Sequence, residues 1–266
     1  MDVILLGMLG LLGLVIGSFL GAFSFRWPRR ISVATGRSFC PRCKSKISWR
    51  DNIPLLSYIL LAGKCRNCQK PISIRYPLIE AITSLAFIGT GLIWINAPQF
   101  SPEPVVSWMI VLGDFFLPVC LFLVSLLVAA FVIDLEHQLI PDGLVFVLVI
   151  TSILVLVFFQ SGGLFNYFAA GFGASWFLLF LALATRGKGM GLGDVKLALP
   201  LGTLLGWPGA LVWLFLSFLI GGVFAILLLV TGKASFGKKI AFGPFLILGF
   251  VFTLFWGERI VQAVGF

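Results

Sequence analysis

Val3-Ile4-Leu5-Leu6-Gly7-Met8-Leu9-Gly10-Leu11-Leu12-Gly13-Leu14-Val15-Ile16-Gly17-Ser18-Phe19-Leu20-Gly21-Ala22-Phe23-Ser24-Phe25, followed at once by Arg26, decides the class of fold. The run carries no charge and exceeds the roughly 20 residues an α-helix needs to cross a bilayer core. A cleavable secretory signal has its positive charge before the apolar core, whereas Arg26, Arg29 and Arg30 come after this one. It reads as a permanent first span with the N-terminus outside. Around it, a chain of 266 residues is 60% hydrophobic and 11% charged, with a mean hydropathy of +1.11. Soluble globular domains do not have that composition. The expected fold is an all-α polytopic membrane protein of about eight transmembrane helices, at 3–25, 77–96, 105–133, 143–160, 163–185, 194–206, 208–231 and 242–262.

A net charge of +9 raises nucleic acid as a partner, and the placement of the charge rejects it. The 26–76 segment holds twelve Lys and Arg. Arg186, Lys188 and Lys196, then Lys233, Lys238 and Lys239, mark two further basic connections. The connections at 97–104, at 161–162 and around Gly206-Trp207-Pro208 have no basic residue, and Arg259 alone falls on their side. This is the positive-inside pattern. It predicts both termini outside and the basic loops in the cytoplasm, touching anionic membrane lipids. The expected division is a first helix at 1–25, a basic cytoplasmic loop at 26–76, and a helical membrane domain of seven spans at 77–266.

The loop contains Cys40-Pro41-Arg42-Cys43 and Cys65-Arg66-Asn67-Cys68, with 21 residues between the pairs. About fifty residues bury too little core to fold without a staple. Two CxxC pairs at this separation match zinc-ribbon spacing, and four thiolates leave no open position, so a bound zinc would be structural. Redox chemistry and disulfides are the competing readings, the latter disfavoured in a reducing cytoplasm. Cys120 lies inside the third span and reads as a packing residue.

Two acids stand at span ends on the same side of the membrane. Asp134 lies in Val132-Ile133-Asp134-Leu135-Glu136-His137-Gln138-Leu139-Ile140-Pro141-Asp142, and Asp194 in Gly189-Met190-Gly191-Leu192-Gly193-Asp194-Val195-Lys196-Leu197. A carboxylate in a bilayer is costly unless it has a partner or a task. Two close carboxylates sharing a proton supply the acid and the base of an aspartyl protease. Read singly, each is also an ordinary helix cap or a solvated helix end. By helix dipole alone, Asp194 at a helix start favours its anion, with Lys196 nearby, and Asp134 at a helix end favours its neutral form. Glu80 is expected to pair with a loop arginine and Asp142 to cap the fourth span. Glu136 and His137 are read as solvated neighbours, and Asp114 as too far along the helix to join them.

At these residues the chain resembles the bacterial type IV prepilin peptidases. The shared run includes Gly17-Ser18-Phe19-Leu20 with Arg26 and Pro28, the double CxxC, Asn52-Ile53-Pro54-Leu55-Leu56-Ser57-Tyr58 and Ile72-Ser73-Ile74-Arg75-Tyr76-Pro77. It continues through Asp134, Ile140-Pro141-Asp142, Gly191-Leu192-Gly193-Asp194 and Phe242-Gly243-Pro244-Phe245. The resemblance implies a GxGD aspartyl endopeptidase of the bacterial inner membrane, with Asp134 and Asp194 catalytic and facing the cytoplasm. Prepilins and pseudopilins would be its substrates. Many members also methylate the new N-terminus with S-adenosylmethionine, and the cysteine loop belongs to that bifunctional form. The family usually has Asn where Gly21 stands, often Val where Ala22 stands, and Pro where Ala241 stands. Two readings of other classes compete: a proton-coupled transporter using the aspartates as a relay, and a metal-stapled membrane scaffold without chemistry.

Overall fold

A computed structural model describes residues 2–33, 37–96, 108–160, 163–187, 189–232 and 240–264. Lys188, Lys233, Lys238 and Lys239, the connections at 97–104 and 161–162, and the first residues of the expected third span lie outside the described residues. Among the described residues ten α-helices run in order: α1 Asp2–Arg26, α2 Leu56–Leu60, α3 Arg75–Asn96, α4 Trp108–Val111, α5 Phe116–His137, α6 Asp142–Phe159, α7 Leu164–Ala184, α8 Leu192–Leu205, α9 Gly209–Val230 and α10 Gly243–Val264. Seven are long and apolar enough to cross a membrane: α1, α3, α5, α6, α7, α9 and α10. Exposed Phe165, Trp176, Phe215 and Val230 are side chains that hydrocarbon, not water, covers. The protein is a multi-pass, all-helical membrane protein.

The expected sixth span is the short one, α8, with 14 residues. At 1.5 Å per residue it rises only about 21 Å, less than the hydrocarbon core. It has protein around it instead of lipid: ten of its residues are buried, Asp194 among them. That enclosure is what lets irregular, glycine-rich backbone precede it at membrane depth.

The described chain groups into two compact units, Met1–Pro98 with Leu117–Ala129, and Gln99–Phe116 with Ala130–Phe266. In the first, α1 packs on α3 through a stripe of small residues. A Cβ added at Gly13 would lie 2.6 Å from Ser84 Cα, and one at Gly17 would lie 2.7 Å from Glu80 Cα. The two backbones therefore approach as only glycine allows, the small-residue packing of membrane helices. Ser84 Oγ seals the contact by donating to Gly10 O at 2.9 Å.

In the second unit, α7 and α8 meet by the same device. A Cβ at Gly171 would lie 2.8 Å from Leu199 O and 2.9 Å from Thr203 N. Ser175 Oγ donates to Val195 O at 2.9 Å, beside Asp194. Buried Trp213 on α9 donates its Nε1–H to Leu246 O on α10 at 2.8 Å, tying together the helices behind the site. These contacts fix the start of α8, which carries Asp194, and the start of α10.

Candidate active site and metal centre

The second unit builds the acid site from three helix ends. α5 stops at His137 because Gln138 turns left-handed (φ 51°, ψ 42°) and Pro141 disfavours helix before it. Asp134 therefore occupies the last turn of α5, and it is only 5% exposed. α8 begins behind Gly191, whose extended backbone (φ −83°, ψ 152°) is its N-cap. Asp194 is the third residue of that helix and reaches back, its Oδ2 accepting the Gly191 N–H at 3.1 Å. It is 6% exposed. The two carboxylates are near enough for their charges to act on each other.

A third helix end completes the arrangement, and the sequence reading missed its role. Gly243 opens α10 and donates its N–H to Asp134 Oδ2 at 3.0 Å. Each carboxylate thus receives an amide from a helix start, where unsatisfied N–H groups and the dipole favour negative charge. The contrast expected from the dipoles of α5 and α8 alone is consequently offset by α10. Phe242-Gly243-Pro244 was legible as a motif, but nothing in sequence spacing aims its amide at a residue 109 positions away.

Ile140 is the wedge between these ends. Buried, it lies 3.2 Å from where a Cβ on Gly193 would sit and 3.2 Å from one on Gly243. The glycine of the GxGD run is thus a close-approach position. Gly243→Ala would place a methyl 2.6 Å from Asp134 Oδ2. If Asp134 is a reacting group, the variant should express and insert while its catalytic rate falls roughly tenfold or more, because displacement of such a group by a fraction of an ångström is amplified in rate. Steady-state kinetics on a peptidase substrate checks this, and a wild-type rate would contradict the placement of that amide.

The remaining acids sort themselves. Lys196 lies two residues, about 200° of helix turn, from Asp194. Its Nζ goes instead to Asp142 Oδ1 at 2.6 Å, on the exposed side. Asp142 is the first residue of α6 and not its cap, which is Pro141. Glu136 and His137 stand 3.8 Å apart, half-buried. Asp114 lies twenty residues before Asp134 and is exposed. In the first unit, Glu80 is not seen paired with an arginine among the described residues; its Oε2 accepts the Leu55 N–H at 2.8 Å.

The cysteine loop, also in the first unit, forms two copies of one knuckle. Cys40 N–H donates to Ser45 O and Lys44 N–H to Cys40 O, with Lys44 left-handed at φ 58°. Cys65 N–H donates to Lys70 O and Gln69 N–H to Cys65 O, with Gln69 at φ 56°. Each knuckle turns two thiols inward, and the four Sγ atoms lie within 4.8 Å of one another. Cys40 and Cys68 Sγ are 3.9 Å apart, close to the edge of about 3.8 Å that zinc–sulfur bonds near 2.3 Å give a tetrahedron. Hydrogen bonds from Ser45 pull the Cys43 thiol down to about 6. Backbone N–H groups of Cys68 and Asn67 lower Cys65. Cys68 is helped by a backbone hydrogen bond at Lys70, yet burial and the three neighbouring sulfurs push it up to about 11. Four crowded thiols cannot all shed protons without a cation, and their spacing is one that could hold a metal ion.

Two family models match. The Bacterial Peptidase A24 N-terminal domain covers residues 11–94, and the Type IV leader peptidase family covers residues 121–226, the span that carries both aspartates. The chain is 34% identical to a Prepilin leader peptidase/N-methyltransferase of Pectobacterium carotovorum subsp. carotovorum, over 93% of this chain and 92% of the relative. The chain belongs to the type IV leader peptidase family. It is also 34% identical to a Type 4 prepilin-like proteins leader peptide-processing enzyme of Escherichia coli O78:H11, over 91% of each chain. A Prepilin leader peptidase/N-methyltransferase of Pseudomonas aeruginosa is 32% identical over 95% of this chain and 90% of its own length. No solved structure matches. The transporter reading finds no support in this leader peptidase family.

Proposed function

We propose that this leader peptidase cleaves the leader of prepilins and pseudopilins with Asp134 and Asp194 as its acid–base pair. The observation that carries the reading is the meeting of two buried carboxylates, each fed by a helix-start amide, on the segments that the family model spans. One carboxylate takes a proton from water as it attacks the scissile carbonyl, and the protonated partner polarises that carbonyl and then protonates the leaving amine. At Gly191 a Cβ would meet only Asp194 Oδ2 and Gly193 N within 4 Å, which supports close approach of an extended substrate strand there. Both termini lie outside the inner membrane in this reading, and the site opens to the cytoplasm, where the basic loops are.

The cysteine cluster of the 26–76 loop holds structural zinc through Cys40, Cys43, Cys65 and Cys68. The helices at 77–266 form the peptidase. The first unit adds N-methylation of the new N-terminus. S-adenosylmethionine, when bound, supplies an electrophilic methyl group to that amine. The names of its relatives, which include N-methyltransferase, and the intact cysteine loop support this second activity. Gly21 stands where the family usually has Asn, and a Cβ there would lie 3.3 Å from Tyr76 Cδ1, so a side chain fits only if Tyr76 yields. Mass spectrometry of a co-expressed prepilin tests both activities. The expected product has lost its leader and gained the mass of one methylene at its N-terminus. Complete cleavage without that gain would remove the methyl-transfer reading and leave the peptidase intact.

A further inference from the structure

The first unit contains a cavity of about 580 Å³, the size of a pocket for a mid-sized organic ligand. Its wall is mainly apolar, with Phe25, Phe39 and Tyr76 among the lining side chains, and most of its charged lining is basic, including Arg26, Arg29 and Arg75. Two acids share it: Asp51, whose carboxylate is taken by Arg66 at 2.6 Å, and Glu80, which is only 7% exposed. One of its oxygens, Oε2, accepts the N–H of Leu55. The other accepts no hydrogen bond among the described residues. Leu55 is itself in a rarely populated conformation (φ 56°, ψ −50°), one an L-residue adopts only when its surroundings impose it. Glu80 is therefore held in place on one side and open on the other.

We propose that Glu80 is an amine-recognition residue of this cavity, its open oxygen accepting a hydrogen bond from a primary amine bound there. The inference rests on the methyl-transfer reading above. Two amines come into question: the α-amine of the cleaved pilin and the α-amino group of the methyl donor. Basic side chains around the wall suit a carboxylate, and buried Glu80, with its second oxygen open, suits an amine. The cavity is thus matched to an amino-acid-like, zwitterionic group.

If the acceptor amine is the partner, the chemistry balances with Glu80 as a positioning group. The pilin α-amine releases a proton to solvent, its ordinary pKa being about 7.7–8.0. Its lone pair forms the new N–C bond as the S–C bond of the donor breaks, leaving a neutral thioether. The positive charge passes from sulfur to the methylated nitrogen. A carboxylate accepting an N–H of that nitrogen orients the lone pair and faces the charge as it arrives.

Glu80→Gln is the test, because an amide oxygen still reaches the Leu55 N–H while the carboxylate charge is gone. Zinc content reports whether the loop survives. Binding of S-adenosylhomocysteine is measured by calorimetry on the full-length protein in detergent. KM is measured for a synthetic peptide carrying the mature pilin N-terminus with a free amine, and its N-acetylated form serves as competitor. With zinc retained, one of the two affinities should fall about tenfold or more, the loss expected of a charge-assisted hydrogen bond. A weaker S-adenosylhomocysteine complex assigns Glu80 to the donor, and a raised peptide KM assigns it to the acceptor. Wild-type values for both overturn the proposal, as does loss of zinc together with all binding, which would make Glu80 a structural anchor only. A wild-type protein that neither binds nor methylates would refute the methyl-transfer reading itself, a different result from a variant that matches an active wild type.

Discussion

Asp134→Asn and Asp194→Asn are each expected to abolish leader cleavage, with a fall in rate on the order of a thousandfold or more. An amide keeps the shape of the carboxyl, and its carbonyl oxygen still accepts the N–H of Gly243 or of Gly191. The fold should therefore survive, and only proton exchange is lost. Each aspartate in turn takes and gives a proton, so neither can cover for the other, and the double variant should be little worse than either single one. Expression level, detergent-solubilised size and zinc content should stay at wild-type values. Cleavage retained by either Asn variant would remove that residue from the chemistry.

Purified protein should contain about one zinc per chain, and replacing any one of Cys40, Cys43, Cys65 or Cys68 with Ser should release it. The expected effect is large because the loop has little else to hold it. Among the described residues its regular structure is one short helix, single-turn segments and two isolated bridges, Phe39 with Lys46 and Lys64 with Pro71. Metal binding in a loop of this size is folding energy. Limited proteolysis should then cut within 37–75 in the Ser variants and spare it in the wild type. Peptidase activity should fall less than in the aspartate variants. A zinc-free wild type with four alkylatable thiols and a protease-resistant loop would contradict the assignment.

The membrane class was legible because it depends on run length and charge placement, both properties of sequence alone. The first span, the basic loop, the paired CxxC knuckles and the two aspartates all announce themselves in that way. Less legible was whatever depends on which helix end meets which. Gly243 reads as part of a turn motif, and only packing brings its N–H to Asp134. Lys196 follows Asp194 by two residues and reads as lying near it, but helix geometry turns its Nζ to Asp142. Glu80 sits one turn after Arg75-Tyr76-Pro77 and reads as an ion-pair residue, yet its partner is a backbone amide across a loop. In each case the sequence supplied the polar group, and long-range packing chose its partner.

The most direct test of the central claim is the intact mass of a purified prepilin after incubation with the purified protein in detergent. The account predicts a substrate shortened by its basic leader, with the new N-terminus at the start of the hydrophobic helix. It also predicts an unchanged substrate mass when Asp134 and Asp194 are both Asn. A prepilin left intact by the wild type, or shortened equally by the double variant, would contradict it.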